Sequence, residues 1–195
     1  MRNKVYFRLS PAFCVILALM LLTLPLKWLI SAILAAAYHE LCHIGAIRFC
    51  GGDIHQLNLS PAGANLNISP LPPGRELICV LAGPLGGLCL LFFSRWIPRI
   101  AVCAAFQSVY NLLPIHPLDG GRALRCVFSI MTTDERSSKL CKDIEYICLS
   151  AIAMIALYGT FVLKLGIGCL FPAILIFGHT KYRKIPCKQQ LQRLQ

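Results

Sequence analysis

Charge is scarce in this chain. Asp and Glu together number 8 in 195 residues, and charged residues of both signs make up 14%, against about 25% in an ordinary soluble domain. No hydrophilic stretch is long enough for a separate soluble domain, so residues 1–195 read as a single domain. No A-x-A-type site follows the first apolar run, which leads straight into a second, so a cleavable signal peptide is not expected. None of the 11 cysteines forms a C-x-x-C pair, which argues against a zinc ribbon or a thioredoxin-like motif. Most lie in apolar runs and read as small buried hydrophobes. No strand and no Lys-Ser/Thr follows the run Ala82-Gly83-Pro84-Leu85-Gly86-Gly87. That run is therefore not a phosphate-binding loop. Internal repeats of the kind many transporters carry are also missing.

What is abundant is apolar. Hydrophobic residues are 57% of the chain, and the mean hydropathy is +0.67. The expected class is an all-α polytopic membrane protein of about six transmembrane helices, each near the roughly 20 residues needed to cross. The spans are expected near Leu9–Leu26, Lys27–Phe49 and Glu76–Ser94, then from Ile97, and finally near Tyr146–Leu165 and Gly166–Thr180. Met1 to Arg8 reads as a basic lead-in, Thr132 to Glu145 as a polar stretch of mixed charge, and residues 181–195 as a basic tail. Residues 50–74 differ: they are rich in Gly and Pro, and two short alternating runs, Ile54–Leu59 and Ala64–Ile68, flank Pro61-Ala62-Gly63. A short β-hairpin after the second span is the expectation, with a plain interhelical loop as the alternative.

The net charge of +11 is accounted for by the bilayer rather than by nucleic acid, because Lys and Arg flank the spans. With both termini cytoplasmic, only Lys27, Arg95, Arg99 and Lys164 of the 19 basic residues lie on the outer side. The positive-inside rule favours that orientation, and anionic headgroups meet the remainder.

Within the second span stands His39-Glu40-Leu41-Cys42-His43. Helical spacing of four puts both imidazoles on one face, a turn apart. That pair can grip one zinc ion, with Glu40 placed as general base for an adjacent water. Ionisable groups at membrane depth are costly, which favours function over an ordinary histidine pair. Cys42 occupies a variable position of the motif. Of the eight acids, only Glu40 and Asp119 lie at plausible membrane depth, so Asp119 is the candidate third ligand. Pro114 and Pro117 break the helix before it, and Gly120-Gly121 lets the backbone turn after it. The alternative is an Asp capping the next helix.

Two separated motifs then carry a resemblance. His39-Glu40-x-x-His43, with Asn111-x-x-Pro114-x-x-Pro117-x-Asp119-Gly120-Gly121 after the fourth span, resembles the site-2 protease family of intramembrane zinc metalloproteases. It is especially similar to the branch that processes sporulation transcription factors. The resemblance covers residues 10–180. It implies zinc (Zn2+) held by His39, His43 and Asp119, with Glu40 as the catalytic base. Asn111 matches a family asparagine that positions substrate or stabilises the intermediate. The implied partner is a membrane-tethered protein substrate, either a transcription factor precursor or a signal-peptide remnant. The implied setting is the bacterial cytoplasmic membrane, with the active site toward the cytoplasm. The chain departs from the family's third-span motif A-G-P-x-x-N by having Gly87 at the Asn position. His116 occupies a position that varies in the family and reads as a lining residue. The competing function is a non-proteolytic zinc-binding membrane scaffold or transporter, from which the behaviour of Glu40→Gln discriminates.

Overall fold

The computed structural model describes residues 6–9, 20–60 and 63–161. The chain divides into two compact units, Met1–Lys142 and Asp143–Gln195. The order of elements is β1 (Tyr6–Leu9), α1 (Leu26–Phe49), β2 (Ile54–Ser60), β3 (Gly63–Ile68), α2 (Pro73–Cys89) with a 3-10 turn over Leu90–Phe93, α3 (Pro98–Asn111), α4 (Asp119–Met131) and α5 (Asp134–Phe161). The first and sixth expected spans and the basic tail fall largely or wholly outside the described residues.

Helix starts follow proline. Pro25 precedes α1, while Pro73 and Pro98 open α2 and α3. Proline's missing N–H costs nothing there, and its fixed φ suits the first turn. The end of α1 is equally local. Gly51 takes a left-handed φ of 79°; its N–H bonds the Arg48 carbonyl at 3.1 Å, and the Gly52 N–H bonds the Ile47 carbonyl at 2.9 Å. These are the paired bonds of a Schellman stop, which a glycine adopts without strain.

The faces of α1 are inverted relative to a soluble helix. Ser31, Ala35, His39, His43 and Ile47 recur every four residues and are buried, whereas Ile33, Leu34, Leu41 and Phe49 are exposed. On α2 the buried side carries Cys79, Val80, Gly83, Pro84 and Gly87, and on α3 it carries Ala101, Ala104 and Ser108. Ile78, Leu85, Phe106 and Val109 face outward. Small residues inside and large apolar ones outside are what helices packing within lipid require. Leu26–Phe49 and Pro73–Phe93 are long and apolar enough to cross a membrane. Pro84 lies inside α2 and is fully buried.

Strands β2 and β3 pair antiparallel, from Ile54 opposite Ile68 to Ser60 opposite Gly63, with an irregularity between Ile54 and Gln56. Strand β1 adds in parallel on the other side of β2, placing Tyr6 opposite Gln56 and Leu9 opposite Leu59. The lead-in segment thus ends in a strand, and four residues carry too little periodicity to have revealed it. Ile54 also joins Ile47 and Cys79 in a buried cluster covered by Ile44, Ala46, Cys50 and Leu71. That cluster fixes the ends of α1 and α2 where they meet the sheet. The stretch before the fifth expected span is helical as well: α5 begins at Asp134, not near Tyr146. Polarity marks where a helix loses its apolar character, not where its backbone bonds begin.

Candidate metal centre

Three elements converge at mid-length of α1. His39 and His43 project from its buried stripe and are 2% and 7% exposed. Asp119 is the first residue of α4, and its Oδ2 lies 3.1 Å from His39 Nε2 and 3.2 Å from His43 Nε2. The two Nε2 atoms are themselves 3.1 Å apart. Asn111, the last residue of α3, brings its amide nitrogen to 3.1 Å from His39 Nε2.

Proton bookkeeping gives this cluster its character. His43 Nδ1 lies 2.8 Å from the Cys79 carbonyl. A carbonyl only accepts, so Nδ1 carries the hydrogen and a neutral ring turns its Nε2 lone pair inward. The Asn111 amide donates to His39 Nε2, which makes that nitrogen an acceptor too. Two nitrogen lone pairs and a carboxylate oxygen therefore face one another at 3.1–3.2 Å. Such a set calls for a cation. Bonds of about 2.0–2.1 Å around a tetrahedral zinc place ligand atoms about 3.3 Å apart, close to the edges of this triangle. Among the described residues, His39, His43 and Asp119 are the one cluster of three such groups that could hold a metal ion. His39 Nδ1 is buried without a hydrogen-bond partner among those residues.

Local structure explains how Asp119 arrives. The chain leaves α3 through a tight link in which Ile115 N–H bonds the Leu113 carbonyl at 2.7 Å and Leu118 N–H bonds the Ile115 carbonyl at 2.9 Å. The His116–Pro117 peptide is cis. Gly120 and Gly121 lie directly on the backbone of Leu112–His116, with no room for a Cβ. The cap residue of α4 is Leu118 rather than Asp119, and the Asp119 carboxylate meets both histidines.

Glu40 is half-buried, and its Oε2 is shielded from solvent. Cys42 is not in the cluster; its sulfur packs on Gly86 of α2. His116 is exposed. Two contributors were missed from sequence. The Cys79 carbonyl leaves no trace in residue type. Gly83 stands where any side chain would overlap the His43 ring, and the small-residue run around it was the available signal.

Fold and site together define a chain of the site-2 protease fold class, with an H-E-x-x-H helix completed by a carboxylate from the helix after the break. The Site-2 Protease from Methanocaldococcus jannaschii superposes with a TM-score of 0.66 at 23% identity, covering 95% of this chain and 94% of that one. In sequence, Stage IV sporulation protein FB of Bacillus subtilis is 30% identical over 144 residues, 67% of this chain and 50% of the relative. A protein named zinc metalloprotease from Methanocaldococcus jannaschii is 27% identical over 147 residues, 67% of this chain and 43% of the relative. The chain thus spans about half the length of the curated relatives it matches. No protein-family model matches it. The resemblance to the site-2 protease family is therefore present in both fold and sequence.

Proposed function

We propose that this chain is an intramembrane zinc metalloprotease, acting as a single domain that cuts a peptide bond in or near the transmembrane segment of a membrane-tethered protein. The observation that carries the reading is the triangle of His39 Nε2, His43 Nε2 and Asp119 Oδ2 with edges of 3.1–3.2 Å, raised on an apolar helix of membrane length. Zinc held by these three residues would supply Lewis acidity toward water and the scissile carbonyl. Glu40 takes the proton of the attacking water and returns it to the leaving amine. The Asn111 amide, beside the metal-facing nitrogen of His39, offers a hydrogen bond to the carbonyl oxygen as charge builds there. The β2–β3 hairpin follows directly on α1 and offers an edge to an extended substrate segment.

In this reading the chain has six spans in a bacterial cytoplasmic membrane, both termini and the mouth of the site face the cytoplasm, and anionic lipid surrounds the basic loops. A transcription factor precursor and a signal-peptide remnant both fit as substrate. The test compares the membrane proteome of cells expressing the parent with that of cells expressing Glu40→Gln. New termini within single-span segments should appear with the parent only. Cuts that persist in Glu40→Gln, or no cuts that depend on Glu40, would contradict the proposal.

A further inference from the structure

The site is braced one helical turn away from its ligands. Arg122 Nη2 lies 3.3 Å from Glu76 Oε1, linking α4 to the first turn of α2. Arg122 follows Asp119 by three residues, and Cys79 follows Glu76 by three, so each pair shares a helix face. The two helices are therefore joined by two rungs. One is the Glu76–Arg122 ion pair. The other runs from the Cys79 carbonyl through His43 to the Asp119 carboxylate, with steps of 2.8 and 3.2 Å. One turn of each helix closes the frame, a height of about 5 Å.

We infer that Glu76 and Arg122 are positioning residues for metal binding: they set the register of α4 against α2, and so place Asp119 against the histidine pair. The cap residue of α4, Leu118, makes no side-chain cap bond. The glycines at 120 and 121 let the link approach closely but offer no group to resist sliding. Both members of the pair are 36% exposed, and an ion pair so placed adds little to global stability. Its effect should instead fall on the geometry of the adjacent ligand, as partners behind metal ligands do.

This inference rests on the proposed metal site, and its test separates the two. Zinc affinity is measured by chelator competition on the detergent-purified full chain, with the melting temperature of the metal-free protein beside it. Glu76→Gln and Arg122→Gln should each weaken zinc about tenfold with little change in metal-free melting. The exchange Glu76→Arg with Arg122→Glu should recover most of that affinity. Unchanged zinc affinity in the single variants, no recovery in the exchange, or a loss matched by a lower metal-free melting temperature would overturn the positioning role. A parent that binds no zinc, or a His39→Ala variant that binds it as well as the parent, would overturn the metal site itself.

Discussion

At the scale of single residues, the site depends on which way lone pairs point. His43 is committed by the Cys79 carbonyl and His39 by the Asn111 amide, so both present Nε2 to Asp119. The Asn111 amide N–H is aimed at the one lone pair His39 Nε2 would give to a metal, so it turns to another acceptor when a metal binds. Replacing Asn111 with alanine should leave zinc stoichiometry intact and lower kcat by about 100-fold, the scale of one lost oxyanion donor. A variant that cleaves at the parent's rate would remove Asn111 from the mechanism. The side chains of this constellation were legible in the sequence: two histidines at helical spacing, and an acid between a broken helix and a glycine pair. The Cys79 carbonyl was not, because every residue carries one and only packing decides which carbonyl meets the ring.

At the scale of elements, α2 acts as a template. Its small-residue face lets α1 approach until the His43 ring lies on Gly83 and the Cys42 sulfur on Gly86. A single methyl at Gly83 must displace the ring or part the helices, and overpacking of this kind costs about 1–3 kcal/mol. Gly83→Ala should accordingly weaken zinc by tenfold or more and lower thermal stability in detergent. A Gly83→Ala protein with parental zinc affinity would mean that the α1–α2 contact yields freely. The sequence showed the small-residue run but not its partner, since a run of glycines says that something comes close and not what. Gly87 illustrates the same limit: where the family pattern has Asn, a Cβ here would meet Ser108 of α3, and Ser108 is fully buried.

At the scale of the molecule, hydropathy located α1 within a residue of its structural start and the beginning of α2 within three, because proline marks both starts. It placed the start of α5 a dozen residues late, where polar residues continue a helix they do not announce. It also missed β1, whose partners in β2 lie 50 residues further along the chain, as Tyr6 opposite Gln56 shows. The proposed activity places one demand on the substrate as a whole: its helix must unwind before a carbonyl can meet the site, because helical carbonyls are already hydrogen-bonded. Stiffening the cut segment with poly-Leu should slow cleavage strongly, and adding a Gly or Pro beside it should restore the rate. Equal rates for stiff and broken segments would show that unwinding is not limiting.

The most direct measurement is the zinc content of the detergent-purified protein beside that of His39→Ala, Asp119→Ala and Glu40→Gln. One zinc in the parent and in Glu40→Gln, with loss from the other two, is the result this account predicts. A parent without zinc under metal-replete conditions, or an Asp119→Ala variant that holds it as tightly as the parent, would contradict it.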